Sequence, residues 1–112
     1  MKRPSLVRHL MLERETTTPD QSGGFTTTWQ VMGAHWADIK ASSGGETRGQ
    51  GTPVSRVGYK IIVRAAPPSS DARPVAGQRF RGHGRIYAIQ AVTEYDAKGR
   101  YLICTAIEET AT

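Results

Sequence analysis

Residues 56–64 constrain the fold of this chain more than any other segment, because they alternate between apolar and polar side chains. Successive side chains of a β-strand point to opposite faces, so the alternation predicts a strand with one buried and one exposed face. The predicted buried face holds Val57, Tyr59, Ile61 and Val63, and the exposed face holds Arg56, Lys60 and Arg64, with Ile62 as its apolar exception. The strand is therefore expected to carry a cationic outer surface.

Other segments have the composition of strands, and none shows a helical pattern of comparable strength. The predicted strands span residues 6–15, 25–40, 56–64, 78–80, 85–95 and 101–109. Turn signals rich in Gly, Pro and Asp separate them, at 16–24, 65–74, 82–84 and 96–100, where Gly99 suits a positive φ. Closing such strands into a barrel leaves few exposed edges. The chain is thus predicted to be all-β: a small antiparallel β-barrel of about six strands with long flexible loops.

The strand predicted at 25–40 carries large residues on both faces, including Trp29 and Trp36. Either both faces are buried, or a β-bulge at Gly33 exchanges them. In both cases the strand is expected near the core. If the Trp36 ring is fully buried, its replacement by Ala would cost about 3 to 5 kcal/mol.

A long stretch at residues 41–55 contains four glycines and one proline, with Val54 as its only sizeable apolar residue. Loops of this length without their own structure are uncommon in compact domains and are commonly functional or disordered. We therefore expect a long flexible loop here. With a length of 112 residues, the chain otherwise forms a single domain over residues 1–112.

The chain is basic, with 15 Lys and Arg against 10 Asp and Glu and a formal net charge of +5. Such a surplus favours a polyanionic partner, although an ordinary soluble basic protein has the same composition. Several cations fall where no acidic residue is near in sequence. The predicted subunit or DNA contacts are Arg56, Lys60, Arg64, Arg79, Arg81 and Arg85, with Arg73 in the same stretch. The alternative is a solvated basic face.

Signals for catalysis are weak. The three histidines lie on different predicted elements without metal-binding spacing, and His35 is expected to be a hydrogen-bonded structural residue. The single cysteine, Cys104, is expected to be a small buried hydrophobe in a reducing compartment. An enzyme using Cys104 or His83 is disfavoured because no activating partner can be named. We therefore predict no catalytic, cofactor or metal site, and no signal peptide or membrane span.

The order of motifs along the chain resembles the head-tail joining family, the head-closure or stopper proteins of long-tailed phages and gene transfer agents. The similar pieces cover nearly the whole length. They are Leu6-Val7-Arg8-His9, Asp20-Gln21-Ser22-Gly23-Gly24 leading to Trp29, His35-Trp36-Ala37-Asp38-Ile39, Glu46, Tyr59-Lys60-Ile61-Ile62-Val63-Arg64, Gly84-Arg85-Ile86-Tyr87-Ala88-Ile89 and Tyr101-Leu102-Ile103-Cys104. Each motif is common by itself, and their order over one short chain is the specific feature.

The resemblance implies a β-barrel that assembles as a ring, a hexamer or dodecamer, in the neck of a phage-like particle built in the bacterial cytoplasm. Its implied partners are a portal-side adaptor, a tail-side terminator and double-stranded DNA in the channel. It also implies that the long loop faces that channel and helps to retain DNA. The corresponding residues are Gly44, Gly45, Glu46, Arg48, Gly49, Gln50 and Gly51. The alternative function is a free basic nucleic-acid-binding β-barrel.

Overall fold

The computed structural model describes residues 3–42 and 57–109, and its regular structure there consists of antiparallel strands. The strands are β1 (Arg8–Pro19), β2 (Phe25–Ala41), β3 (Gly58–Arg64), β4 (Arg79–Gly82), β5 (Arg85–Glu94) and β6 (Tyr101–Glu109). They form a closed barrel in the order β1-β2-β3-β6-β5-β4. The predicted all-β fold is confirmed. The described residues include no helix that could cross a membrane.

The barrel interior is filled by the side chains of alternating strand positions. Its largest fully buried members come from every strand except β2, and they are Leu10, Leu12, Ile61, Val63, Phe80, Tyr87, Leu102 and Cys104. The predicted alternation in β3 is confirmed for Ile61 and Val63, which are both 0% exposed. Val57 departs from it, because the strand begins at Gly58 and leaves Val57 half exposed.

Ile62 points to the outer wall by its parity, yet it is only 2% exposed. A segment that we call the strap, residues 3–7, runs beside it. The Val7 amide donates to the Ala37 carbonyl at 3.1 Å, and the Ser5 amide donates to Asp38 Oδ2 at 3.0 Å. Asp38 lies directly opposite Ile62 in the sheet. The strap therefore crosses the outer face of β3 at Ile62, the one apolar residue on the face that the sequence predicted to be exposed.

The strands β1 and β2 are longer than predicted and extend out of the barrel as a hairpin. Residues 16–19, expected in a turn, pair with residues 25–28 as strand. The turn itself is 20–24, where Asp20 Oδ1 accepts hydrogen bonds from the amides of Ser22 at 2.8 Å and Gly24 at 2.9 Å. The register shifts at Met32, which the pairing of β1 with β2 skips, beside the bulge predicted at Gly33.

Trp36 lies on the outer wall and is 57% exposed, so the condition of full burial, on which a cost of about 3 to 5 kcal/mol depended, is not met. The buried neighbours of Trp36 on β2 are His35 and Ala37, because the bulge sets that parity inward. The indole instead packs edge-on against the exposed His9 ring, at a centroid distance of 5.0 Å.

His35 is the structural histidine that the sequence predicted. Its ring is 8% exposed, and Nε2 lies 2.6 Å from the Ala72 carbonyl oxygen, to which it donates. Burial lowers the pKa of His35 below 6.5, against the opposing effect of the Ala72 hydrogen bond. The neutral ring thus anchors the β3–β4 connection to β2.

Candidate functional site

The predicted channel loop lies outside the described residues. This holds for Gly44, Gly45, Glu46, Arg48, Gly49, Gln50 and Gly51, and also for Arg56. The other predicted contacts, Lys60, Arg64, Arg79, Arg81 and Arg85, are described, and they fall into those with a carboxylate partner, namely Arg79 and Arg81 with Glu13 and Arg85 with Glu108, and those without one.

Arg79 and Arg81 form one group, because both hold the carboxylate of Glu13. Arg79 Nε donates to Glu13 Oε1 at 2.8 Å, and Arg81 Nε donates to Oε2 at 2.7 Å. The closure of the barrel causes this arrangement, since β4 pairs with β1 and sets Arg79 directly opposite Glu13. Glu13 is 3% exposed on the outer wall beneath these two side chains.

The environment of Glu13 keeps it ionised. Burial raises its pKa, but the hydrogen bonds and charges of Arg81 and Arg79 outweigh burial and lower the pKa below 4.5. Arg79 also stacks over the Trp29 ring, with Cζ 4.0 Å from the ring centroid. Such a cation–π contact holds the guanidinium in place. Arg79 is therefore a fixed structural cation, and only Arg81 retains a half-exposed side chain.

Arg85 also has an acidic partner, Glu108 on the neighbouring strand. Arg85 Nε lies 3.7 Å from Glu108 Oε2, and the Tyr59 hydroxyl donates to Oε1 at 3.2 Å. Burial and this hydrogen bond raise the pKa of Tyr59. The charge of Arg85 is thus partly offset at the barrel end where β5 begins.

Lys60 and Arg64 form the second group, the cations without a carboxylate partner among the described residues. Lys60 is exposed and lies opposite Lys40 of β2, so two like charges are adjacent on the outer wall. Arg64 is exposed, and its Cζ lies 5.5 Å from the centroid of the Tyr101 ring. The predicted basic face of β3 therefore keeps its charge available, whereas the predicted cluster at 79–85 is largely paired.

Exposed apolar side chains form a second surface feature, which the sequence did not assign. Phe25 is 71% exposed, Trp36 is 57% exposed and Val31 is 45% exposed, all on β2. The signal for Phe25 was its place beside the turn at 20–24. The exposure of Trp36 and Val31 could be predicted only from the exact position of the bulge, because a register shift of one residue moves each side chain to the other face of the sheet.

The described residues provide little for catalysis. No group of three or more His, Cys, Asp or Glu side chains within 3–42 and 57–109 could hold a metal ion. Burial raises the pKa of the Cys104 thiol to about 12. The thiol is therefore protonated at neutral pH, and a thiolate is the nucleophilic form. What the surface offers is a set of cations and exposed apolar groups suited to contacts with other macromolecules.

Comparison with known proteins agrees with this description. A family model described as phage head completion protein matches residues 1–109. A protein in the virion of a native gene transfer agent particle is 43% identical, with a TM-score of 0.79, and the match covers 98% of this chain and 100% of that one. A protein of Shigella flexneri 2a, known from a solution structure, is 20% identical with a TM-score of 0.69 over both complete chains, which supports the fold alone. Among curated proteins, none matches.

Proposed function

Because this chain belongs to the phage head completion protein family, we propose that it is a structural subunit of the neck of a phage-like particle. The observation that carries the proposal is the likeness, over almost the full length, to a gene transfer agent virion protein at 43% identity. In this role the chain has no catalytic function. It acts by closing the filled head and by supplying a surface on which the tail assembles.

In the finer form of the proposal, copies of the barrel form a hexameric or dodecameric ring around the DNA. One face of the ring contacts a portal-side adaptor and the other a tail-side terminator. A rigid barrel with a projecting hairpin and with exposed apolar groups on β2 supports this, since a ring subunit must present two different surfaces to its neighbours. The ring is assembled in the bacterial cytoplasm and stays in the particle.

In this proposal, the loop at residues 44–51 faces the DNA channel and helps to retain the DNA. Phosphate contacts are independent of sequence, so a moderately basic channel with a net charge of +5 per chain suits DNA of any sequence. Arg48 in the loop and the unpaired cations Lys60 and Arg64 are the residues that we assign to DNA or to a subunit neighbour.

Deletion of residues 44–51 tests this proposal. We expect the shortened chain to fold with an unchanged circular dichroism spectrum, because both strands that flank the loop are paired with other strands. Particles that carry the deletion should lose packaged DNA or fail to join tails, as scored by nuclease-protected DNA and by electron microscopy. A matched control replaces the same residues by a Gly-Ser segment of equal length. Unfolding of the shortened chain would assign the loop a structural role instead.

The second candidate function, a free nucleic-acid-binding barrel, rests on the exposed Lys60 and Arg64. The pairing of Arg79, Arg81 and Arg85 with carboxylates weakens it. Tight and strongly salt-dependent DNA binding by the isolated chain would favour this second function.

A further inference from the structure

A groove of about 430 Å³ lies on the outer wall where β3 ends and β6 begins. Its lining joins three arginines with apolar walls from the strap and from β6. The lining residues are Arg3, Pro4, Leu6, Arg64, Arg100 and Tyr101. The groove is therefore both cationic and partly apolar, and it is separate from the Glu13 cluster on β1 and β4.

The charge of the groove is not balanced within the described residues. Arg100 pairs with Asp96, with Nε 3.3 Å from Oδ2, whereas Arg3 and Arg64 have no carboxylate partner there. Asp96 itself is occupied in its own turn, where Oδ1 accepts the amides of Arg100 at 2.8 Å and Tyr101 at 3.1 Å. Three guanidinium groups thus face one carboxylate, which leaves a net positive charge for a ligand. Guanidinium groups bind carboxylates through paired hydrogen bonds.

The same chain carries a group of complementary chemistry at the tip of its hairpin. Asp20 is exposed, and the hydrogen bonds from Ser22 and then Gly24 lower its pKa, so its carboxylate is charged. Phe25, directly after the turn, is 71% exposed, the highest value among the large hydrophobic side chains of the described residues. A carboxylate beside an aromatic ring matches a groove that combines arginines with Pro4, Leu6 and Tyr101.

The tip cannot reach the groove of its own molecule. The groove adjoins the start of β1 at the strap, and the tip follows the end of β1, which is 12 residues long. A strand of that length spans about 40 Å. The longest extent of the molecule is 53 Å, so the two features lie towards opposite ends. A contact between them requires two molecules.

We propose that the hairpin tip, through Asp20 and Phe25, inserts into the Arg3–Arg64–Arg100 groove of a second copy of this chain. The contact is heterologous, with a different surface on each partner, and such contacts close into a ring when the rotation per subunit permits. This inference rests on the proposed ring and assigns its subunit interface. A duplex phosphate backbone is a poorer occupant, because the groove is concave and carries apolar walls.

Disulfide trapping in assembled particles tests the contact. The variant carries Ser22→Cys at the tip and Ser5→Cys on the strap, between the groove residues Pro4 and Leu6, both at exposed serines. The native Cys104 is 0% exposed and should not react. Mild oxidation is expected to give a ladder of covalently joined chains. The matched control pairs Ser22→Cys with Gln90→Cys, an exposed position on β5, and is expected to give single chains only.

Charge variants measure the same contact without a cross-link. Asp20→Asn keeps an oxygen that accepts the turn amides but removes the charge, and Arg64→Glu reverses the charge of the groove. Each is expected to lower incorporation into particles about tenfold, with Gln90→Glu unchanged. Circular dichroism spectra of the free variants should match the parent chain, since both side chains are exposed.

The outcomes separate this inference from the proposed function. Rings in the neck without the Ser5–Ser22 cross-link overturn the contact but leave the structural role intact. Loss of packaged DNA by Arg64→Glu at normal incorporation assigns the groove to DNA instead and also overturns the contact. Absence of the parent chain from the neck overturns the proposed function itself.

Discussion

At the scale of single residues, the carboxylate of Glu13 decides how much of the basic surface is available. Arg79 and Arg81 are among the cations that the sequence marked for DNA or subunit contact, yet both donate to this one side chain. The buried carboxylate and the Arg79 guanidinium stabilise each other where β1 meets β4. Arg79, which the sequence predicted as an interface cation, is thus part of the contact between β1 and β4 that closes the barrel.

We expect Glu13→Gln to destabilise the fold by about 1 to 3 kcal/mol at neutral pH, because two guanidinium groups lose their shared counter-charge. Solvent screening of the half-exposed Arg81 limits the loss. Urea unfolding measures it. Glu15→Gln, an exposed position on the same strand, is the matched control and should lie within about 0.5 kcal/mol of the parent chain. Equal effects of the two substitutions would refute the structural role of Glu13.

The same pair of variants gives a pH dependence with a defined sign. The folded-state pKa of Glu13 is lowered below 4.5. The stabilisation is therefore complete above the ordinary value and is lost as the pH falls through the lowered one. The difference in unfolding free energy between the parent chain and Glu13→Gln should be constant between about pH 5.5 and 7. It should shrink below pH 4.5. A difference that grows on acidification would contradict this.

Trp36 illustrates how one residue of register changes the role of a side chain. Because its ring is 57% exposed, we expect Trp36→Ala to lower stability by less than about 1 kcal/mol. Phe80→Ala, at a position with 0% exposure, should cost about 3 to 5 kcal/mol. Thermal unfolding of the two variants compares them directly. A large loss at Trp36 would show that the ring is buried in solution.

At the scale of elements, the hairpin extension of β1 and β2 differs from the rest of the sheet. We call residues 14–19 and 25–30 the arm. Within the described residues these two segments pair only with each other, since β4 meets β1 at residues 11–13 and β3 meets β2 at residues 37–41. Nearly all of the arm is exposed. A two-stranded ribbon with both faces in water is only marginally stable alone.

Hydrogen exchange should therefore distinguish the arm from the barrel. We expect the amides of the arm to exchange through local opening, whereas those of Ile61 and Val63 exchange only on global unfolding. A hydrogen bond of 2.8 Å joins the hydroxyls of Thr16 and Thr28 across the arm. It does not bury the backbone amides of the arm. In assembled particles the arm should gain protection if its tip binds a neighbour. Equal protection of arm and barrel in the free chain would show that the arm is not a separate unit.

At the scale of the whole molecule, the positive charge is divided between cations that are paired with carboxylates and cations that are not. The net charge is +5, but Arg79, Arg81, Arg85 and Arg100 each have a carboxylate partner. In the proposed ring, such a subunit would line the DNA channel as one of many copies without binding DNA tightly as a single chain. The function of the charge then depends on assembly.

The isolated chain is accordingly expected to bind duplex DNA weakly. With Lys60 and Arg64 of β3 as the contacting cations, about two to three phosphates are neutralised. The logarithm of the binding constant should then fall with the logarithm of salt concentration with a slope of about −2 to −3. Fluorescence anisotropy over a salt series measures this slope. A slope of about −6 or steeper would favour the free nucleic-acid-binding barrel.

The sequence by itself determined the number and order of the strands, the inward parity of Ile61 and Val63 and most of the turns, because these follow from a two-residue periodicity and from local backbone preferences. Residues 16–19, expected in a turn, are the exception. Gly99, with a φ of 65°, lies where a glycine was required. The tertiary structure alone decided which outward side chains remain free. Glu13 meets Arg79 across 66 residues, and the strap crosses the outer face beside Ile62. Such contacts depend on barrel closure and on one residue of register, and local periodicity contains no information about either.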